Sequence, residues 1–386
     1  MITKLTTQQC TRCVMDTSAP DITFDQSGVC SYCTSLLNNS GKLIFMESKE
    51  RLGKLEKFVT EVKSRGSGKR YDCIVGLSGG VDSAFTLVRA IELGLRPLAV
   101  HMDNGWNSEL AQSNIENLVR QLGVDLYTHV IDWREYRNLM EAFFDADVVD
   151  VELLYDNAML AANYKVAAKY KVDFILSGHN AATEGMRMPP SWNWLKFDAR
   201  NIRSIVKTYD KKLKIDTFPI VGTLSLIWYR VFRKISWVRF LDFVDFEKSA
   251  ALEILKRDFN YKPYPYKHYE SVFTRFYQGY LLPKKFSIDK RRVHLSTLII
   301  TNQMTRNQAE LLLEQIPYPS ELELNQDIEY FLKKMTWDTN KLSDYLSRPS
   351  RSHDEFSSEA RLWNISVAFF KYLQKVKLFS TSDSAE

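Results

Sequence analysis

Tyr71-Asp-Cys-Ile-Val-Gly-Leu-Ser-Gly-Gly-Val-Asp-Ser83 decides the fold of this chain. The mostly apolar run Cys73 to Leu77 predicts a strand buried on both faces of a parallel sheet. Ser78, Gly79 and Gly80 then predict a tight turn that glycine allows to approach a ligand closely. A helix follows, with Val81, Ala84, Phe85, Val88 and Ile91 recurring on one face and Gly94 ending it. A strand, a glycine turn and a helix N-terminus make an anion site, because free backbone N–H groups and the helix dipole converge on one spot. Phosphate fits such a spot.

The residue types narrow the class. A Walker A loop needs a lysine to reach the β- and γ-phosphates, and no lysine stands between Ser78 and Ser83. Ser78-Gly-Gly-Val-Asp-Ser83 instead resembles the SGGxDS loop of the ATP pyrophosphatases, the PP-loop superfamily. The resemblance implies that ATP is cleaved between its α- and β-phosphates, adenylating an oxygen that a nucleophile later displaces. It also implies that Ser78, Gly79, Gly80 and Ser83 cradle pyrophosphate while Asp82 helps to hold Mg²⁺. The alternative is a glycine turn with no ligand.

Outward from this stretch, strands and helices alternate. Pro97 to Met102 predicts a second strand running into His101-Met-Asp-Asn-Gly-Trp106. A helix from Ser108 to Leu122, stopped by Gly123, leads to a third strand near Leu126 to Ile131. Helices over 136–144 and 151–170 precede a fourth strand, Asp173 to Leu176, which opens into Ser177-Gly-His-Asn-Ala-Ala-Thr-Glu-Gly185. This alternation predicts an α/β fold with a doubly wound parallel sheet and ligands at the strand C-terminal ends. The superfamily resemblance implies that Met102 meets adenine and that Asp103 lies near the metal or the acceptor. Gly178, His179, Asn180 and Glu184 would form the other wall, with Asp82, Asp103 and Glu184 as the catalytic acids. For His179 the alternative is a capping or packing histidine.

Composition bounds the rest. A chain of 386 residues can hold two or three domains, and its net charge of +5 permits acidic substrates without demanding nucleic acid. Met1 to Cys10 has no apolar core, so no signal peptide is expected, and the cytoplasm is the expected compartment. The most apolar window, Phe218 to Trp228, is too short to span a bilayer and is followed by Arg230, Arg233 and Lys234. It reads as a packed helix, with a surface-lying amphipathic helix as the alternative.

Four of the five cysteines form one pattern: Cys10-x2-Cys13, sixteen residues, then Cys30-x2-Cys33. This is the two-knuckle spacing of a tetrahedral, four-thiolate zinc site, closed and therefore structural. Two disulfides are the competing reading, which a cytosolic chain disfavours. Leu52, Leu55, Phe58, Val59 and Val62 predict a helix, and residues 64–70 a flexible basic linker. The expected boundaries are a zinc module at 1–45, a helix and linker at 46–70, and a nucleotide domain at 71–190. A substrate-binding region at 191–300 and a helical C-terminal region at 301–386 complete the chain.

Residues 261–292 interleave aromatics and cations, which suits a planar base carrying diphosphate. Arg275, Lys285 and Arg292 are the expected substrate contacts; a solvated face is the alternative for any one of them. Leu311, Leu312, Leu332, Leu342 and Leu346 are expected in the C-terminal core, and Ser380 to Glu386 as a frayed tail.

Three features occur together: the knuckles opening with Cys10-Thr-Arg-Cys-Val-Met-Asp-Thr17, the 78–83 loop, and His268-Tyr-Glu-Ser-Val-Phe-Thr-Arg-Phe-Tyr-Gln278. With Asp289-Lys-Arg-Arg-Val-His-Leu-Ser-Thr-Leu298 they resemble the N-acetyl sugar amidotransferases of bacterial surface-polysaccharide (O-antigen) synthesis. That resemblance covers nearly the whole chain. It implies conversion of an acetamido group on a nucleotide-linked sugar into an acetamidino group with ATP and ammonia. The alternative within the superfamily is tRNA thiolation, which needs a sulfur carrier. Outside the knuckles only Cys73 remains, mid-strand and expected to be inert. Residue 1 is methionine and no free thiolate is expected, so the chain is read as lacking a glutaminase. The resemblance implies a separate ammonia-supplying pair, a glutaminase with a barrel synthase-like subunit.

Overall fold

The computed structural model describes residues 8–265 and 269–375. Tyr266, Lys267 and His268 of the aromatic–cationic stretch, and the tail expected to fray, lie outside the described residues.

Five strands form one sheet: β1 (Cys73–Gly76), β2 (Pro97–Asp103), β3 (Leu126–Val130), β4 (Phe174–Ser177) and β5 (Ser236–Arg239). Their order is β3-β2-β1-β4-β5, and every neighbouring pair is parallel. The strand order therefore reverses between β1 and β4, so a crevice opens at their C-terminal ends. Side chains alternate across the sheet as the pleat requires. Cys73, Val75, Phe174 and Leu176 pack with α3 (Val81–Glu92), α4 (Glu109–Leu122) and the later helix Lys248–Phe259. Ile74 and Ile175 face the other way, onto the helix Leu153–Tyr170. Both faces are covered, which is why these strands read as apolar runs.

The N-terminal module feeds directly into this sheet. Its helix α1 (Ser31–Ile44) is followed by α2 (Ser48–Arg65). Leu55, Val59 and Val62 of α2 belong to the same apolar cluster as β1, and Phe58 stacks on Phe243. Leu52, expected on that face, is exposed. The expected flexible linker is also corrected. Arg65 and Lys69 pair with Asp173, and Arg96 donates to the carbonyls of Gly66 and Lys69. Multiple charge-assisted bonds hold the segment in place.

Next come α5 (Trp133–Asp145), α6 (Leu153–Tyr170), α7 (Ala181–Glu184), α8 (Ala199–Tyr209), α9 (Thr223–Ile227), α10 (Lys248–Phe259) and α11 (Val272–Phe276). The helical C-terminal region comprises α12 (Arg291–Ile300), α13 (Arg306–Glu314), α14 (Glu321–Met335), α15 (Thr339–Ser347) and α16 (Ala360–Lys375). Leu342 is buried there, whereas Leu311 is exposed, against expectation. An aromatic cluster joins this region to the sheet. Trp106, in the loop after β2, packs against Phe273 and Phe331, and Phe144 against Trp337 and Tyr345. The loop at the β2 end is thus fixed by the C-terminal helices.

Candidate nucleotide site

The Ser78–Ser83 turn sits where the sheet topology puts a ligand, between the ends of β1 and β4. Its own side chains shape it. Ser83 Oγ donates to the carbonyl of Gly80 (3.1 Å) and accepts from Ser78 N (3.2 Å), while Ser78 Oγ accepts from Gly80 N (3.3 Å). Gly79 has φ +90°, and a Cβ there would stand 3.1 Å from the Ala111 backbone oxygen. Gly178, from the loop after β4, comes closer still: a Cβ would lie 2.7 Å from Ser83 N. Two loops from adjacent strands thus meet at the N-terminus of α3, where helix N–H groups have no intrahelical acceptor.

A segment distant in sequence closes the turn. The phenols of Tyr261 and Tyr264 both donate to the carbonyl of Gly79, at 2.8 and 3.0 Å. Burial pushes both phenols up in pKa, and Glu270 adds to this in each case, so both remain donors. Residues 270–272 run against 106–108, with Ser108 N donating to the Glu270 carbonyl and Val272 N to that of Trp106. This places Glu270 over Gly80, whose added Cβ would lie 3.6 Å from Glu270 Oε1.

The cleft so formed has a volume of about 470 Å³, within the usual range for small-molecule sites. Its polar side carries Ser78, Gly80, Asp82, Ser83, Gly178, His179, Glu184, Lys248 and Glu270. Apolar residues Val100, Met102, Leu176 and Trp237 also line it. One face of α6 lines it at Tyr155, Met159 and Asn163, spaced one helical turn apart. Asn163 is buried and donates its Nδ2 to the Met159 carbonyl, leaving its Oδ1 as an acceptor without a partner. A buried, unpaired acceptor beside apolar lining residues fits a ring bearing an amino group.

His179 and Glu184 are bonded to each other, Nδ1 to Oε2 at 2.6 Å, and both line the cleft. Asn180 faces away from this role and caps α7 by accepting from Thr183 N. Asp103 Oδ1 accepts from Gly105 N (2.8 Å) and Asn107 Nδ2 (3.3 Å). Asn107 also touches His101 Nε2 (3.0 Å), whose Nδ1 lies 2.8 Å from the Leu77 carbonyl.

The four cysteines form a second centre. All four are fully buried, and their sulfurs lie within 4.8 Å of one another. Cys10 to Cys33 is 3.9 Å and Cys13 to Cys30 is 3.7 Å. A tetrahedral zinc with sulfurs about 2.3 Å away needs edges of about 3.8 Å, so the residues fit that ion. Backbone N–H groups of Arg12, Cys13 and Cys30 point at Cys10 Sγ, which suits a thiolate. None of the five cysteines is disulfide-bonded, so the competing disulfide reading does not hold.

The three cations expected to contact substrate have other partners. Arg275 forms a two-pronged pair with Asp327 at 2.6 Å on each arm. Lys285 is buried against Asp147 and the carbonyls of Tyr345 and Arg348. Arg292 donates to the Val14 carbonyl and pairs with Asp16, clamping the four-cysteine module to α12. None of the three lines the cleft. Lys248, Tyr155 and Asn163 line the cleft without having been expected there, whereas Tyr261, Tyr264 and Glu270 come from the 261–292 stretch expected to bind substrate. The glycine turn was legible, but its cover arrives from nearly two hundred residues away.

A parallel sheet with a serine–glycine turn at its switch point makes an α/β, doubly wound protein, here joined to a four-cysteine module, which is the architecture the PP-loop resemblance implies. Residues 270–371 match the family model described as "LPS biosynthesis protein WbpG-like, C-terminal domain". Over those residues the chain is similar to that C-terminal domain, in agreement with the surface-polysaccharide resemblance drawn from its sequence. No curated protein matches the chain. Among solved structures, it is similar to an NMN synthetase from Francisella tularensis, at 15% identity and TM-score 0.31, covering 69% of this chain and 95% of that one. It is also similar to an NH3-dependent NAD synthetase from Campylobacter jejuni, at 14% identity and TM-score 0.30, covering 71% and 100%. Both likenesses are too slight for anything to rest on them.

Proposed function

We propose that this chain is an AMP-forming, ATP-dependent amidotransferase acting on a nucleotide-linked N-acetyl sugar, a UDP-diacetamido uronic acid being the favoured class, for lipopolysaccharide O-antigen synthesis. The observation that carries the reading is the Ser78–Ser83 turn, which has no lysine, opening on a cleft in a chain with a WbpG-like domain. Adenine lies against the apolar lining beside Met102, and its amino group meets Asn163 Oδ1. The turn and the α3 N-terminus hold the phosphates, with Lys248 as the cation of the lining. Mg²⁺ would neutralise phosphate charge when bound, and Asp82 and Glu270 in the cleft lining are the residues that would hold it. Glu184, in the cleft lining, and Asp103, at the end of β2 outside that lining, are the acids assigned to the acceptor.

The acetamido oxygen attacks the α-phosphorus and pyrophosphate leaves. Ammonia then adds to the activated carbon, and AMP departs with the oxygen, leaving a C=N bond in an acetamidino group. Adenylation matters because an amide oxygen is otherwise a poor leaving group. Cys73 is fully buried, and burial raises its thiol pKa, so the thiolation reading lacks a sulfur relay.

Product analysis tests the proposal. With ATP, an N-acetyl sugar nucleotide and ammonium, AMP and pyrophosphate should accumulate; ADP as the product would overturn it. Replacing the sugar nucleotide with tRNA and a sulfur donor should leave ATP uncleaved.

A further inference from the structure

Helix α9 continues into a π-helical turn over Trp228–Phe232, closed by Arg233 N donating to the Trp228 carbonyl (3.1 Å). Thr223 and Leu226 are buried, and Tyr229 stacks on Tyr164 of α6, so one side of this element is fixed to the body. The other side carries Leu224, Trp228 and Phe232 at intervals of four, exposed by 68%, 45% and 73%. The expectation of a packed helix thus holds for only half the surface. No carboxylate occurs between Asp216 and Asp242, whereas Arg230, Arg233, Lys234 and Arg239 do.

Beside Phe232 lies a recess of about 260 Å³. Its lining contains Lys69, Lys171 and Arg233, with Asp173 as its one carboxylate. That carboxylate is already shared by Arg65 and Lys69. Exposed apolar side chains beside a cationic recess match the layering of an anionic bilayer, acyl chains next to phosphate headgroups. Tryptophan at the boundary suits the headgroup level.

The position in the fold agrees. The recess lies at the starts of β4 and β5, beside Asp173 and Ile235. The 78–83 turn follows the end of β1, and the strands are parallel, so the two features stand at opposite ends of the sheet. A surface held at one end leaves the cleft open at the other.

We infer that this face docks the protein on an anionic membrane surface, with Leu224, Trp228 and Phe232 entering the headgroup boundary and Lys69, Lys171 and Arg233 meeting lipid phosphates. The full chain should co-sediment with vesicles of phosphatidylglycerol and phosphatidylethanolamine in equal parts, and at least about tenfold less with phosphatidylcholine vesicles. Added salt should weaken the binding. The triple change Leu224→Ser, Trp228→Ser and Phe232→Ser, and separately the exposed change Lys171→Glu, should each lower it by about tenfold, with circular dichroism and Tm confirming the fold. If the triple variant does not fold, Phe232→Ser alone decides. Equal binding to both vesicle types, or binding to neither, overturns the inference. So does a dimer in light scattering that the apolar changes abolish, because the face would then belong to a second copy.

Discussion

Nε2 of His101 lies 3.0 Å from Nδ2 of Asn107, and that contact fixes the ring's protonation. The Leu77 carbonyl on the other side can only accept, so Nδ1 carries the proton and Nε2 accepts. Asn107 passes the constraint on to Asp103, 3.3 Å away. Burial lowers the His101 pKa from the ordinary 6.5, against the smaller opposing pulls of the Leu77 carbonyl and Asp103. Above pH 6.5 the ring is neutral both folded and unfolded. As pH falls below that value the unfolded chain takes the proton first, so stability declines. Asn107→Ala should cut kcat by about tenfold to a hundredfold by releasing Asp103, with the fold retained. A pH profile should place any acid loss due to His101 below 6.5; a loss centred above it would contradict this tautomer.

The phenols on Gly79 predict a division between binding and folding. Changing both Tyr261 and Tyr264 to Phe removes two neutral hydrogen bonds, each contributing about 1 kcal/mol. The KM for ATP should rise several-fold, because the loop's resting shape is no longer enforced. Thermal unfolding together with initial rates at varied ATP measures both. An unchanged KM would show that the turn holds its shape unaided.

Arg275 and Arg292 should behave as framework. Arg275→Ala leaves the buried Asp327 carboxylate without its charge partner, at a cost of about 3–5 kcal/mol. Arg292→Ala removes charge-assisted bonds to Val14 and Asp16, about 1.5–3 kcal/mol, and should loosen the cysteine module from α12. Denaturant titration reads the loss. A variant of either with full stability and weakened sugar-nucleotide binding would support the substrate role expected from sequence.

These residues also show what the sequence could convey. β1, the turn, α3 and β2 follow from contiguous signals, and α4 begins at a capping Ser108 and ends at Gly123 with φ +63°. β5 is four residues long, and its Trp237 and Val238 sit in a basic stretch far from β4, so no local pattern marks it. Arg275, Lys285 and Arg292 looked available because their carboxylate partners, Asp327, Asp147 and Asp16, are remote in sequence. That Tyr261, Tyr264 and Glu270 cover the 78–83 turn could not be read from sequence for the same reason, although the 261–292 stretch itself stood out. Periodicity reports a residue's own element, whereas a site assembled by tertiary contact leaves no spacing to read.

The cysteine centre should hold one zinc per chain, measured by elemental analysis. Arg306 donates to the Cys10 carbonyl and Trp192 to that of Ser18, so the module is tied to several distant elements. Chelation should therefore lower Tm for the whole protein. Cys13→Ser should do the same, because a closed four-thiolate site tolerates poorly the loss of one ligand. A metal-free protein with an unchanged Tm would refute a structural role.

The source of nitrogen is the remaining question for the proposed reaction. A thiolate glutaminase needs an accessible, activated cysteine beside a base. Cys10, Cys13, Cys30 and Cys33 are buried together, and Cys73 is fully buried in β1 with its thiol pKa pushed up by that burial. No cysteine is left to attack glutamine. Near pH 7 most ammonia is ammonium, which has no free lone pair, so a partner that releases ammonia at the cleft would raise the rate. The family resemblance implies such a partner, a glutaminase working with a barrel synthase-like subunit. The isolated chain should turn over with high ammonium salt, faster as pH rises from 7 to about 9, and should not use glutamine. Adding the glutaminase pair should confer glutamine-dependent turnover at neutral pH. Glutamine consumption by this chain alone, in a preparation free of contaminating glutaminase, would sink the idea.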